Sequence, residues 1–531
     1  MNLSPDESAR PLRHAVYCLL IVTSAAAMVG RILSVKSALG GTPLLSANDR
    51  SRWATVRALV DEGTYSIDKV LFTRPGQRDR EWYTIDLVRH KGRDGKEHYY
   101  SSKPALLSTL LAGKYWLVRQ LTGATLAREP FYVVRLLLVT TNVVPLVIYF
   151  LLLAHLVEQL GTTNWSRIFV LGAATWGTFL TTFAVTINNH IPAAMSVLVA
   201  VWAVFPALRG DGARPWRYAV AGASAAFAVA NELPALALFA LLGLWLVRLS
   251  PARTFSAFVP GAALVAAGFC LTNYAAHGTW RSPNMHRGDG PRLATLPPSH
   301  RDSVAGGTLS PPLREALRAQ GIELSPQARA TAGTRQGRWV LWDPVRGNRY
   351  TLAETGSGLE VRGWENWYEY EDSYWSVSKR KGVDRGEPSQ AVYAWHVLLG
   401  HHGVFSLTPI WLLSLLGLGI GLARGQPYLR WFAGTVSVLM VVCLWFYISL
   451  PLGDRNYGGV ACGFRWMFWF TPLWLVSLVP AADAVSGKPA LRALAWALLF
   501  VSVVSASYAN LNPWSHPWIY QYLIHLGWVV P

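Results

Sequence analysis

Apolar runs close to the ~20 residues that a helix needs to cross a bilayer recur along this chain, and they leave it one class of fold. The expectation is an all-α polytopic membrane protein. With 52% hydrophobic and only 15% charged residues in 531, the chain carries more apolar surface than one soluble core can bury. Its 25 Trp and 21 Tyr suit the aromatic belts that mark membrane–water interfaces.

Spans are expected at residues 15–35, 131–157, 165–187, 191–208, 217–231, 233–249, 254–274, 397–422, 430–450, 466–484 and 490–508, about eleven in all. The first follows Arg10 and Arg13 and reads as an uncleaved span rather than a signal peptide. Residues 104–120 are apolar but interrupted by Lys114 and ended by Arg119, so they read as a helix lying on the membrane surface. This reading places Arg167, Arg209, Arg214, Arg217, Arg248, Arg253, Arg424, Arg430, Lys488 and Arg492 in cytoplasmic loops, leaving Arg455 and Arg465 in the short outer ones. Making 104–120 a span would invert that asymmetry, against the rule that basic residues stay inside.

The net charge of +18 does not indicate a nucleic-acid partner. Residues 36–104 hold 13 Lys/Arg against 9 Asp/Glu, and residues 275–396 hold 16 against 13, so neither polar region is strongly basic. Much of the excess lies in short loops beside helices, where it sets topology. The cysteines, Cys18, Cys270, Cys443 and Cys462, form no CxxC pair and support neither a disulfide framework nor a zinc site.

Three regions follow: residues 1–274, a transmembrane module with an outer loop at 36–130; residues 275–396, a small soluble α+β insertion on the same side; and residues 397–531, the last spans and tail. Within the outer loop, Ile85-Asp86-Leu87-Val88-Arg89 and His98-Tyr99-Tyr100 flank an Asp94-Gly95 turn and predict a hairpin. The insertion opens with a Pro/Gly/Arg-rich stretch through Pro312 that reads as irregular. A second hairpin is expected from 338–342 and 348–352, and the acidic aromatic patch Trp364–Asp372 reads as a packing surface, with sugar stacking the alternative.

The outer loop carries the leading site candidates. Asp49 stands at the start of an amphipathic helix, where it serves either as a base or as a cap. Arg52 follows one turn later. Lys103-Pro104 opens the surface helix, and its lysine either holds an anion or snorkels to water. His190, Glu232, His401 and His402 all fall at outer ends of spans, which reads as polar turns or as one ionisable face. The segment from Arg455 to Trp466 includes Tyr457, three glycines that let backbone approach a ligand, and Arg465, whose guanidinium can hold a phosphate in a fork of donors.

Taken together, the long first outer loop with its early Asp, Ser102-Lys103-Pro104 and the late Gly458-Gly459…Gly463-Phe464-Arg465 segment resemble GT-C glycosyltransferases similar to protein O-mannosyltransferases and the lipid A aminoarabinose transferase. The resemblance implies sugar transfer from a polyprenyl-phosphate donor to a hydroxyl of a lipid, protein or polysaccharide, with inversion. It also implies an active site facing the periplasm or exterior of a bacterial cytoplasmic membrane, among membrane lipids. It gives Asp49 the role of base and Lys103 that of lipid-phosphate ligand, with Arg465 beside it. The one cofactor the resemblance allows is a divalent metal, but the acidic pair that would support it is Asn48-Asp49 here, and the family's Lys-Pro-Pro is Lys103-Pro104-Ala105. The rival reading is a transporter or flippase of lipid-linked sugars, which would place ionisable groups near the bilayer midplane. A non-catalytic scaffold would leave Asp49, Lys103 and Arg465 far apart.

Overall fold

The computed structural model describes residues 5–74, 76–212, 214–300, 304, 308–333, 337–376 and 379–529. The chain is mostly helical, and among the described residues eight helices are long and apolar enough to cross a membrane: Ser8–Ser34, Pro130–Leu160, Asn164–Val185, His190–Arg209, Pro251–His277, Pro427–Ile448, Arg465–Ser486 and Pro489–Tyr508. The fold is that of a multi-pass membrane protein.

Three of the eleven expected spans form helices under the ~20 residues that a crossing takes. Pro215–Asn231 has 17 residues and Trp411–Arg424 has 14, while Leu233–Leu249 begins with a 3-10 turn at Leu233–Ala235. At about 1.5 Å per residue, 17 residues reach about 26 Å, short of the ~30 Å hydrocarbon core. Prolines explain the breaks. Pro234 follows Glu232 at one helix junction, and the 397–422 stretch is cut at Thr408-Pro409 into Val404–Leu407 and Trp411–Arg424. The helix expected at 104–120 forms as Ala105–Thr122, closed by Gly123 in the left-handed conformation, and packs on the loop helix Ala47–Asp61 and on Pro251–His277.

The outer loop is built around the helix Ala47–Asp61 and two small antiparallel pairs. β1 (Phe72–Arg74) pairs with β2 (Gln77–Arg78). The expected hairpin forms as β3 (Leu87–Lys91) and β4 (Glu97–Ser101), with Leu87 opposite Ser101 and Lys91 opposite Glu97. Asp86 therefore sits just before one strand and Lys103 just after the other, at the open end of the hairpin.

In the insertion, β5 (Asp289–Leu296), β6 (Arg329–Ala332), β7 (Arg338–Asp343), β8 (Asn348–Thr355) and β9 (Gly358–Trp364) form one antiparallel sheet in the order β5-β9-β8-β7-β6. Its core of Leu341, Leu352, Leu359 and Val361 is covered by Leu313 and Leu317 of the helix Pro311–Ala319. The β7–β8 hairpin closes with Asp343 opposite Asn348, and the Asp343 carboxylate accepts the amides of Val345 and Arg346. The stretch through Pro312 is not wholly irregular: it supplies β5 and the start of the Pro311–Ala319 helix, while 301–303 and 305–307 lie outside the described residues. Pro291 cannot donate to a ladder, and β5 accommodates it by running at the sheet edge with register shifts.

The aromatic patch after β9 is a packing surface. Trp367 and Tyr368 are buried with Val88 and Tyr100 of the outer-loop hairpin. The Arg89 amide donates to the Trp367 carbonyl at 2.9 Å, and the Trp375 indole donates to the Ile85 carbonyl at 3.0 Å. Arg349 reaches Glu97 at 2.7 Å. The insertion is thereby fastened to the hairpin that carries Asp86 and Lys103, and the two must share one side of the membrane. Single cysteines at Ser66 and Ser357 are expected to react with an impermeant thiol reagent in intact cells, or in spheroplasts where there is an outer membrane. Protection of both would place loop and insertion in the cytoplasm and reverse the orientation derived from the loop charges.

Candidate active site

The site begins at the N-terminus of the helix Ala47–Asp61, where four backbone N–H groups need partners. Ser46 and Asp49 form a capping box that satisfies two donors there: the Ser46 hydroxyl accepts the Asp49 amide at 3.2 Å, and Asp49 Oδ1 accepts the Ser46 amide at 2.9 Å. Asp49 Oδ2 accepts the Leu45 amide at 3.0 Å and the Thr186 hydroxyl at 2.8 Å. Burial pushes the carboxyl up from its usual range, and the Leu45, Ser46 and Thr186 donors pull it back. With only 1% of Asp49 exposed and both oxygens committed, the geometry uses this carboxylate to fix the loop helix against Thr186. Of the two roles the sequence offered, the structure forms the cap, and in this arrangement Asp49 directs no open lone pair toward an acceptor hydroxyl.

One turn on, Arg52 points toward the membrane helices. Its guanidinium donates to the Asn48 side chain, to the Asn48 carbonyl at 3.2 Å and to Asn189 Oδ1 at 2.8 Å. Asn189 donates to Glu232 Oε1 at 2.6 Å, and His190 Nδ1 lies 2.6 Å from the same oxygen. On the far side of the imidazole, Arg465 Nη1 lies 3.0 Å from His190 Nε2. A neutral His190 satisfies both contacts by donating from Nδ1 and accepting at Nε2. Arg465 Nε donates to the Gly458 carbonyl at 2.6 Å, and its guanidinium lies 5.1 Å from the Trp514 ring centroid. Trp514 Nε1 donates in turn to Thr186 at 3.3 Å, closing a chain from Arg465 back to Asp49. Gly458 has φ +88°, and a Cβ there would lie 2.5 Å from Arg465 Nε, so only glycine admits this arrangement without displacing the arginine.

Lys103 completes the set from the end of the hairpin. Its Nζ lies 2.9 Å from Asp86 Oδ2. Removal from water pulls Lys103 down to about 8, against the opposing pull of Asp86, and the positive charges of Arg52 and Arg465 lower it further. Arg52 is likewise lowered, first by burial and then by Arg465. The three cations therefore sense one another, although they come from positions 52, 103 and 465. Asp384, from the insertion, accepts the Tyr374 hydroxyl at 2.8 Å and is raised chiefly by burial, with Asp86 and Arg465 within electrostatic reach.

The balance of partners separates these cations. Lys103 has a carboxylate, but Arg52 and Arg465 have no ion pair within 4.0 Å among the described residues. Both are held by neutral acceptors, which fix their direction and leave their charge uncompensated at close range. Two oriented, desolvated guanidinium groups are what a phosphate monoester or diester requires.

His401, His402 and Tyr457, expected at the same site, form a cluster of their own. His402 stacks on Tyr457 with ring centroids 4.1 Å apart, His401 stacks on His396 at 3.8 Å, and His516 stacks on Tyr520 at 4.1 Å. Among the described residues, none of His401, His402 and Tyr457 makes a hydrogen bond or ion pair with Asp49, Arg52, Lys103 or Arg465. Tyr457 directly precedes Gly458, whose carbonyl accepts from Arg465 Nε, so this aromatic packing adjoins the arginine's anchor. Among the described residues no group of three or more His, Cys, Asp or Glu side chains is placed to hold a metal ion.

Four participants were not singled out from sequence: Asp86, Thr186, Asn189 and Trp514. Asn189 adjoins His190 in a polar break between spans, a signal that was available. Asp86 was visible only as the acidic member of an apolar strand, and Trp514 lies far along the chain with no local pattern to mark it.

No protein-family model matches the sequence, and no curated protein matches it. Among solved structures, the chain is similar to the oligosaccharyltransferase of the archaeon Archaeoglobus fulgidus. Against the apo form the TM-score is 0.42 at 12% identity, covering 96% of this chain and 57% of that one. Against the form tethered to an acceptor peptide with an NVT sequon the TM-score is 0.45, with the same identity and coverage. Against the complex of the same organism's oligosaccharyltransferase AglB with an inhibitory peptide and a dolichol-phosphate it is 0.41 at 12% identity, covering 93% and 55%. The chain thus spans just over half the length of those proteins.

Proposed function

We propose that this chain is a membrane glycosyltransferase of GT-C type that moves a sugar from a polyprenyl-phosphate donor to an acceptor hydroxyl on the outer side of the bacterial cytoplasmic membrane. The observation that carries this reading is the pair of arginines, Arg52 and Arg465, fixed by neutral partners and left without carboxylates beside Lys103. In such a site the guanidinium groups bind the donor phosphate and stabilise the charge that develops on it as the sugar–phosphate bond breaks. His190, held by Glu232, and the Gly458 carbonyl keep Arg465 aimed; Asn48 and Asn189 do the same for Arg52. Asp49 holds the loop helix through Thr186, so that Arg52 and Lys103 meet Arg465.

The acceptor attacks the anomeric carbon from the side opposite the departing phosphate, which gives inversion. The motif resemblance supplies the donor class, and the paired arginines supply the physical reason for it. Deleting the gene is expected to raise the cellular pool of one polyprenyl-phosphate sugar and to remove the corresponding sugar from a surface glycan, lipid or protein, read by mass spectrometry of both fractions. An unchanged lipid pool together with an unchanged surface would contradict the proposal.

A further inference from the structure

With the oxygens of Asp49 committed to its cap and to Thr186, a transferase at this site needs another group to receive the acceptor proton. The carboxylates within electrostatic reach of the cations are Asp86, Glu232 and Asp384. Glu232 accepts from Asn189 and faces His190, and so serves to hold the imidazole behind Arg465. Asp384 accepts a tyrosine hydroxyl and belongs to the insertion. Asp86 differs from both. Its Oδ2 meets Lys103 at 2.9 Å, while its Oδ1 receives no donor among the described residues and is not among the sealed, unpartnered polar atoms.

The backbone around Asp86 is fixed from both sides. Its carbonyl accepts the Ser51 hydroxyl at 2.7 Å and the Ser102 amide at 3.1 Å, and its amide is donated to Thr84 Oγ1 at 3.1 Å. The preceding carbonyl, that of Ile85, accepts the Trp375 indole. The loop helix, the hairpin and the insertion therefore all determine where this one carboxylate points. A residue whose backbone is held from three sides, with one carboxylate oxygen pinned by an ammonium and the other open, is oriented as a general base must be. Lys103 also links the two halves of the chemistry, since one ammonium can orient Asp86 and face the phosphate held by the arginines.

We propose that Asp86 is the general base of the transfer, an assignment that rests on the glycosyltransferase reading above. The acceptor oxygen forms its bond to the anomeric carbon as its proton passes to Asp86 Oδ1. The bond from the anomeric carbon to the phosphate oxygen breaks at the same time. Its electron pair leaves on the polyprenyl phosphate, facing Arg52 and Arg465. No oxidant, reductant or further reactant is required.

The test uses purified full-length protein in detergent, a panel of tritium-labelled polyprenyl-phosphate hexoses and pentoses, and two nucleophiles: hydroxyl acceptors from an envelope extract, and azide. Azide is already an anion and needs no base. Asp86→Asn is expected to lower transfer to hydroxyl acceptors by about 10²–10⁴-fold while azide still releases polyprenyl phosphate at a rate near that of the wild type. Asp49→Asn, which disturbs the cap, is expected to affect the two nucleophiles equally and to lower thermal stability. Asp86→Asn with near-normal hydroxyl transfer overturns the proposal. Equal loss with both nucleophiles in Asp86→Asn overturns it too, by making Asp86 a structural partner of Lys103, and leaves the transferase reading standing. Wild-type protein that cleaves no donor in the panel with either nucleophile removes the transferase reading and Asp86's role with it.

Discussion

Replacing Arg465 by alanine is expected to lower transfer by about 10²–10³-fold, the effect of removing one preorganised donor from a site that stabilises a developing anion. Arg465 is half-buried, directed by Gly458 and His190, and free of any ion pair within 4.0 Å among the described residues, so its removal strands no carboxylate and should leave the protein folded. Arg465→Lys should recover little. A lysine retains the charge but cannot reproduce a planar group whose Nε donates to the Gly458 carbonyl and Nη1 to His190 while Nη2 is left for a phosphate. If Arg52 and Arg465 grip the same phosphate, their effects will not add: Arg52→Ala in an Arg465→Ala background should cost less than it does alone. Steady-state rates of the two single variants and the double variant provide the check. Near-wild-type turnover by Arg465→Ala would remove the guanidinium from the mechanism.

The second large effect concerns pH. Lys103 is pulled down to about 8, first by loss of water around it, so the free protein loses this proton across the range where an ordinary lysine keeps it. The sign follows directly. Below pH 8 Lys103 is a cation that favours an anionic donor and orients Asp86; above pH 8 it becomes neutral and both effects fade. Since kcat/KM reports the free protein, it should fall about tenfold per pH unit above ~8 if the protonated form alone is competent. A bound phosphate favours the cation, so the decline in kcat should begin at higher pH. Lys103→Arg keeps its charge throughout and should flatten the alkaline limb, even where the arginine fits less well and lowers the plateau. An alkaline limb unchanged in Lys103→Arg would assign the decline to another group.

How much of this was legible in the sequence depends on whether a feature is local. The two hairpins were readable because Asp94-Gly95 and Asp343–Gly347 carry turn chemistry between alternating residues, and both turns formed where those residues stand. The helix at 104–120 was readable but its end was not: it runs through Lys114 and Arg119 as Ala105–Thr122 and stops at Gly123. The span count was less so, because hydropathy counts apolar residues but does not measure rise. Pro234 and Pro409 shorten helices whose composition alone suffices for a crossing. At the proposed site, Arg465 stands out locally by its glycines and Lys103 by its place before a proline. Asp49 stands out as well, but sequence alone left it between base and cap. The Ser46-x-x-Asp49 spacing is a capping box, and the sequence offers no means of knowing that Thr186 occupies the remaining oxygen.

His401 and His402 show the opposite error. Ionisable residues at the end of a span suggest function by their expected cost, but these rings stack on Tyr457 and His396 and pack as aromatic groups. Asp86 was invisible for a third reason. A lone carboxylate beside a strand has no periodic signature, and its significance appears only when the hairpin brings it to Lys103.

A transferase breaks a sugar–phosphate bond, whereas a transporter carries an intact lipid-linked sugar across the membrane. The polar and charged residues of the site come from the outer-loop helix, the hairpin, the starts of His190–Arg209 and Arg465–Ser486, and the Asn231–Leu233 junction, and they meet in one place. A transporter must expose its site to both faces in turn and return its substrate unchanged. In detergent there is no second compartment, so transport cannot be mistaken for turnover. The most direct measurement is the release of free polyprenyl phosphate from labelled polyprenyl-phosphate sugars by the purified protein in detergent, with label passing to an acceptor and with Arg465→Ala as the control. The account predicts release that depends on both acceptor and Arg465. Movement of intact donor across proteoliposomes, with no cleavage over a broad acceptor panel, would contradict it.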